Sequence, residues 1–210
     1  AEDFDIEIMD VLTGFKYIGE KIRQFENKEI DGTYILGFEE SYGYLIGTHA
    51  RDKDAIVSSL LIAEMAAFYN SKGTSIYKEL QKLYQEFGYY LEGIKSVTLT
   101  GKDGIEKMAN LMTELRETVK DRTIDKNIKI KRDFKTKKEL IVATGEEKDI
   151  LLPVENVIQF VLEDDTYITA RPSGTEPKIK FYFSVNAPTK EEVEKKLNET
   201  MEKFVATLKL

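Results

Sequence analysis

Asp165-Thr166-Tyr167-Ile168-Thr169-Ala170-Arg171-Pro172-Ser173-Gly174-Thr175-Glu176-Pro177-Lys178-Ile179-Lys180-Phe181-Tyr182-Phe183-Ser184-Val185 holds two alternating apolar runs joined by eight residues rich in polar donors. Residues 165–170 and 179–185 alternate as half-buried strands do, so the segment reads as strand, loop, strand. The loop places an arginine, two hydroxyls, a glycine and a lysine close together. A guanidinium can take two oxygens of an anion at once. Gly174 lets backbone N–H groups come close, and Ser173 and Thr175 add donors. The prolines stiffen the loop, so less ordering entropy is lost when a ligand arrives. Ordinary turn chemistry with solvated charges also accounts for Ser-Gly-Thr. By residue type alone, a phosphate loop and a plain connection both remain open.

Working outward, residues 157–162 and 167–170 flank Glu163-Asp164-Asp165 and read as a hairpin. Thr189 with Glu192 forms a capping box that opens a last helix bearing Val193, Leu197, Met201, Phe204 and Leu208. An amphipathic helix begins near 101–104, with Ile105, Met108, Leu111, Met112 and Leu115 on its apolar side. Strands clustered between helices predict an α+β domain over residues 97–210. The 120–138 stretch is the most charged in the chain and holds a strand at 127–131. Its lysines suggest RNA contact less well than a solvated face balanced by nearby acids.

Residues 1–96 read differently. A strand is expected at 4–9, a helix up to Asn27, and a second strand at 33–38. Asp52 or Asp54 caps a long apolar helix over 55–69 that closes near Gly73. Thr74 caps another, with Ile76, Leu80, Leu83 and Phe87 on one face and Gly88 as its stop. Strands alternating with helices predict an α/β domain, an open sheet covered by helices.

The 210 residues carry a net charge of −7, which argues against a general nucleic-acid surface but not against a local basic loop. The absence of cysteine excludes disulfides, thiolate catalysis and zinc–thiolate sites. No apolar run approaches membrane-spanning length, and the acidic start is unlike a secretory signal. A cytoplasmic protein with no membrane and no nucleic-acid partner is expected. The single histidine, His49, is read as structural or exposed.

A second constellation, Gly37-Phe38-Glu39-Glu40-Ser41-Tyr42-Gly43, lies where a strand runs out into a loop, a common place for ligands. Two carboxylates and a hydroxyl suit vicinal sugar hydroxyls, although acid pairs in loops are usually solvated.

Together these motifs resemble the α-D-phosphohexomutases, the phosphoglucomutase and phosphomannomutase superfamily. Arg171-Pro172-Ser173-Gly174-Thr175-Glu176-Pro177 is similar to the phosphate-binding loop of that family's last domain. Glu39-Glu40-Ser41-Tyr42-Gly43 is similar to the sugar loop of its third domain, in the form of the phosphoglucomutase branch. Thr13-Gly14-Phe15-Lys16 and Arg51-Asp52-Lys53-Asp54 resemble two further third-domain segments that approach the sugar.

The resemblance implies a partial third α/β domain over residues 1–96, then a C-terminal α+β domain of TATA-box-binding-protein-like fold over residues 97–210. It implies that Arg171, Ser173, Gly174 and Thr175, with Lys178 in a lesser role, hold the non-reacting phosphate. Glu39 and Ser41 would hold ring hydroxyls, Glu40 would support the loop, and Thr13, Gly14 and Lys53 would approach the sugar. Arg51 is read as a structural ion-pair partner.

The implied reaction interconverts glucose 1-phosphate and glucose 6-phosphate through a phosphoserine and glucose 1,6-bisphosphate, with Mg2+. Neither a Thr-Ala-Ser-His-Asn-Pro-like segment nor an Asp-X-Asp-X-Asp run is found. The catalytic serine and the metal ligands are therefore expected in N-terminal domains of the same polypeptide, and no catalytic or metal residue is assigned in this chain. Phosphomannomutase, phosphopentomutase and phosphoglucosamine mutase remain alternatives, as does a non-catalytic phosphate-binding module.

Overall fold

The computed structural model describes residues 4–39, 42–100, 103–117, 128–174 and 176–208. It divides into two compact units, Ala1–Leu80 and Gln81–Leu210.

In the first unit, α1 (Phe15–Glu26) buries Phe15, Ile18 and Ile22 against Leu45, with Tyr34 beside them. The apolar residues recur at helical spacing, so one stripe of α1 meets this small core. Leu45 lies on β2 (Gly43–Ile46), which pairs antiparallel with β1 (Leu36–Glu39). The sheet of this unit is these two strands. Residues 4–9, expected as a strand, form no ladder among the described residues, and most of them are exposed. Alternation marks a surface able to pair, but a strand forms only where a neighbour supplies the other half of each hydrogen bond.

The helix α2 (Ala55–Ser71) begins where Asp54 accepts hydrogen bonds from the N–H groups of Ile56 and Val57. Of the two expected caps, Asp54 is the one used. The helix is apolar around its circumference, yet Ile56, Leu60, Ile62 and Phe68 are more than half exposed. A helix hydrophobic on every side is normally buried. Gly73, with φ of 73°, ends the segment in the left-handed region. Ser75, rather than Thr74, accepts from Lys78 N–H at the start of α3 (Ile76–Phe87). Thr74 instead donates its hydroxyl to Glu79.

The second unit is a seven-stranded antiparallel sheet with α4 (Gly104–Glu117) and α5 (Lys190–Thr207) packed on one face. Its strands are β3 (Tyr89–Thr98), β4 (Ile128–Asp133), β5 (Lys138–Ile141), β6 (Glu146–Asp149), β7 (Ile158–Leu162), β8 (Tyr167–Pro172) and β9 (Lys178–Ala187). Their order in space is β3-β9-β8-β7-β4-β5-β6.

Alternation along β9 sends Ile179, Phe181, Phe183 and Val185 into the core. Phe204 of α5 meets Phe181 and Phe183 edge-on, with ring centroids 5.2 and 5.7 Å away. Full burial of each such side chain contributes about 1.5–3 kcal/mol. Thr189 closes the expected capping box, accepting from Glu192 N–H and donating to its carboxylate.

The boundary expected at Ser96 lies too late for the compact units. Residues 89–98 pair with β9 along their whole length, so β3 is an edge strand of the second unit's sheet. Its alternation is interrupted by Gly93 and Lys95, which hid it from the sequence reading. Ile105, expected on the inner side of α4, is exposed, and the buried stripe is Leu111, Met112 and Leu115.

Candidate functional site

Two constellations carry chemistry, one in each unit. In the first, Glu39 ends β1 opposite Gly43, where the antiparallel pair closes. Ser41 and Glu40 lie outside the described residues. Glu39 is largely covered, and its carboxylate lies 3.7 Å from the Lys53 ammonium, which is half exposed. Lys53 also contacts Asp52 at 3.1 Å and stands 5.3 Å from the centre of the Phe15 ring. The hydrogen bond to Asp52, with help from Glu39, holds the Lys53 ammonium above the ordinary lysine pKa.

A Cβ on Gly43 would stand 2.9 Å from Lys53 Cδ and 3.1 Å from Glu39 Oε2, so only glycine leaves this arrangement its room. Gly14 precedes α1 with φ of 124°, a backbone that suits glycine, and Thr13 beside it is exposed. The structure thus brings Glu39, Lys53 and the first residue of α1 together within the first unit. Phe15 and Gly43 were not singled out from the sequence as site residues. Phe15 was read within the Thr13–Lys16 segment with no role of its own, and the crowding at Gly43 comes chiefly from a side chain ten residues away.

The segment bearing Lys53 is pinned. Arg51 Nη2 reaches both Glu26 carboxylate oxygens at 2.6 Å, and Nη1 donates to the carbonyls of Thr48 and Ala50. Arg51 is therefore structural, as expected. His49 Nε2 lies 2.9 Å from Asp54 Oδ2. That bond, together with the N–H groups of Val57 and Ile56, holds the Asp54 carboxyl below the usual aspartate range.

In the second unit, Arg171 lies directly opposite Lys180, and Pro172 opposite Ile179, at the end of the β8–β9 ladder. Ser173 N–H donates to Lys178 O at 2.7 Å, and Glu176 N–H donates to the Ser173 hydroxyl at 3.3 Å. Pro177 O accepts from Leu99 N–H at 2.8 Å, tying the loop to the end of β3. Gly104 backs this contact: a Cβ there would stand 2.2 Å from Leu99 O and 3.0 Å from Pro177. Gly174 faces open space. Thr175 lies outside the described residues.

Among the described residues, no carboxylate pairs with Arg171, Lys178 or Lys180. The arrangement is a constrained turn with an open centre and unpaired positive charge at its base. Such a turn accepts an anion without first having to break internal ion pairs. No three His, Asp or Glu side chains gather as a metal site among the described residues.

Comparison with known proteins decides the family. Residues 1–87 match the model of phosphoglucomutase/phosphomannomutase α/β/α domain III. A phosphoglucomutase of Staphylococcus aureus is 36% identical over 194 residues, covering 92% of this chain and 34% of that protein. The chain belongs to the phosphoglucomutase/phosphomannomutase superfamily.

A phosphoglucomutase of Staphylococcus haemolyticus is 33% identical over 193 residues, again across 92% of the chain and 34% of its own length. The chain thus spans about a third of the length of these superfamily members. Among solved structures, the open form of pp63/parafusin, a phosphoglucomutase from Paramecium, superimposes with a TM-score of 0.58. That match has 18% sequence identity and covers 92% of this chain and 33% of that one. The superfamily's third α/β domain, followed by a sheet-rich α+β domain, is therefore the fold class of this chain. No helix among the described residues is long and apolar enough to cross a membrane.

Proposed function

We propose that this chain is the substrate-recognition part of a phosphoglucomutase-like enzyme that interconverts glucose 1-phosphate and glucose 6-phosphate through a phosphoserine and a bisphosphorylated sugar. The observation that carries the reading is the β8–β9 turn, where Arg171 and Lys178 flank an open glycine and have no carboxylate partner among the described residues. In this reading the turn holds the non-reacting phosphate through Arg171, Ser173, Gly174, Thr175 and Lys178. Glu39, Ser41, Lys53, Thr13 and Gly14 serve the sugar hydroxyls.

Holding a substrate in its reactive geometry can lower a barrier by about 7–11 kcal/mol, but only where the reacting group is present. In this reading that group, the phosphoserine, and the Mg2+ site belong to other domains of the polypeptide. The same domains are the proposed cover for the exposed apolar surface of α2. The chain alone is expected to show no measurable interconversion of the two glucose phosphates in a coupled assay.

The direct test is an NMR titration with glucose 1-phosphate, glucose 1,6-bisphosphate and inorganic phosphate, alongside Arg171→Ala. Shifts at 171–178 and 39–53 that are larger for the sugar phosphates, with the 171–178 set lost in the variant, support the reading. Equal shifts at 171–178 for all three ligands, with none at 39–53, would reduce the chain to a generic anion binder. The mannose, glucosamine and pentose phosphates belong in the same series, because loop chemistry alone does not separate them from glucose.

A further inference from the structure

We infer that Glu26 is a positioning residue that acts through Arg51 to set Lys53 against Glu39 and the Phe15 ring. The inference rests on the reading above that Lys53 serves the sugar hydroxyls, and it names what places that side chain.

The segment 47–54 is held at its ends by the β1–β2 hairpin and in its middle by α1. Gly47 N–H donates to Ile35 O at 3.0 Å, and Asp54 N–H donates to Tyr44 O at 2.8 Å. Between these ties, Phe15, Gly19, Ile22 and Glu26 recur at helical spacing and form one stripe of α1. The Lys53 ammonium stands over the Phe15 ring, 5.3 Å from its centre. Gly19 lets the helix reach the Arg51 backbone, since a Cβ there would stand 2.9 Å from Arg51 O. Glu26 lies about 16 Å along the helix axis from Phe15. Its two carboxylate oxygens take Arg51 Nη2 at 2.6 Å, while Nη1 closes the turn on Thr48 O and Ala50 O.

Two residues of this stripe go against local helix preference. Glycine inside a helix is disfavoured relative to alanine. An acid in the last turn meets the negative end of the helix dipole. Both departures are explained by the same neighbour, Arg51, and by nothing within α1 itself. Local preferences that fail together at one contact mark a constraint beyond helix formation. Lys53 is half exposed on a long flexible stem, so without a fixed backbone beside it the ammonium would be spread over many rotamers. With Arg51 clamped two residues away, the stem starts from one place and reaches Glu39.

The test compares the parent with Glu26→Ala, Glu26→Gln and Gly19→Ala by NMR. One readout needs no ligand: the ring-current shift that Phe15 impresses on the Lys53 methylene protons. The other is titration with glucose 1-phosphate and with inorganic phosphate. Glu26→Ala and Gly19→Ala should move the Lys53 signals toward those of an unstructured lysine. Affinity for glucose 1-phosphate should fall about threefold, with that for inorganic phosphate unchanged. Glu26→Gln, which keeps an acceptor oxygen, should fall between Glu26→Ala and the parent. In an Arg51→Ala background, Glu26→Ala should add nothing, because its effect passes through Arg51. Unmoved Lys53 signals in both Glu26→Ala and Gly19→Ala, whatever the change in Tm, would make Glu26 merely structural and overturn the inference. A further loss in the Arg51→Ala background would overturn it as well. If glucose 1-phosphate shifts the parent at 39–53 and neither variant weakens that binding, the sugar reading survives and this inference alone fails. If the parent shows no such shifts, both fail.

Discussion

In the first unit, Arg51 and Lys53 are held by carboxylates of their own segment, of α1 or of β1, with nitrogen–oxygen distances of 2.6 to 3.7 Å. In the second unit, Arg171, Lys178 and Lys180 stand together with no such partner among the described residues. Both regions are rich in cations beside a glycine-bearing turn, yet their electrostatics are opposite. A cation already neutralised by its own chain fixes loop geometry and has little left to offer an anion. A cation left unpaired beside like charges costs stability until an anion arrives. The first arrangement suits hydroxyl recognition, where shape and hydrogen bonds decide, and the second suits a charged group.

Arg51→Ala should break the first arrangement without touching the second. The substitution removes the double contact with Glu26 and both carbonyl bonds that tie down residues 48–51. The pair is half exposed, so solvent screening limits the loss, and about 1–2 kcal/mol is expected for the first unit. Urea unfolding followed by hydrogen exchange, resolved for each unit, measures it. Affinity for inorganic phosphate should stay unchanged, and a fall in that affinity would erase the contrast between the two regions.

Gly43→Ala sharpens the comparison more gently. The new Cβ meets the flexible stem of Lys53, which can move, but in moving it draws the ammonium away from Glu39. A stability loss of about 1 kcal/mol or less is expected, since only a side chain has to yield. The change should show more clearly in sugar recognition: shifts at 39–53 caused by glucose 1-phosphate should weaken, while those at 171–178 persist. Equal weakening of both sets would mean that the substitution acts on folding and not on the Glu39–Lys53 pair.

Much of this contrast was legible in the sequence, and the reasons for what was not are specific. The strand–loop–strand around Arg171 could be read because alternation on both sides and the Ser-Gly-Thr turn agree with each other. Thr189 could be read as a cap from local spacing alone, whereas spacing left Asp52 and Asp54 as alternatives for α2. The pairing of Arg171 with Lys180 depends on register, which alternation does not determine without knowing where the turn closes. The contacts of Phe15 and Gly43 with Lys53 join residues 10 to 38 positions apart. The charged strands β5 and β6 escaped notice because they are paired through backbone hydrogen bonds and cross-strand ions, with little apolar pattern. The strand expected at 4–9 failed for the converse reason: its pattern was clear, but the described residues offer it no neighbour.

The smallest expected effect concerns Asp54, and its sign follows from the contacts. The hydrogen bond from His49, together with the N–H groups at the start of α2, holds the folded carboxyl below its unfolded value of about 3.9. A depressed folded pKa means that the unfolded chain binds the proton more readily. The contribution is therefore complete above pH 3.9 and is lost as the pH falls through the folded value. The first unit's unfolding midpoint should hold from pH 6 to about 4.5 and then drop, and Asp54→Asn should flatten part of that drop. His49→Ala should flatten it less, because the two backbone donors remain. Such sensitivity belongs to a segment that depends on its own ion pairs. Among the described residues no carboxylate pairs with the cations of the β8–β9 turn, so protonating carboxylates should leave them as they are. A matching acid-induced change confined to residues 171–180 would show that an acid does pair there, and the contrast between the two regions would collapse.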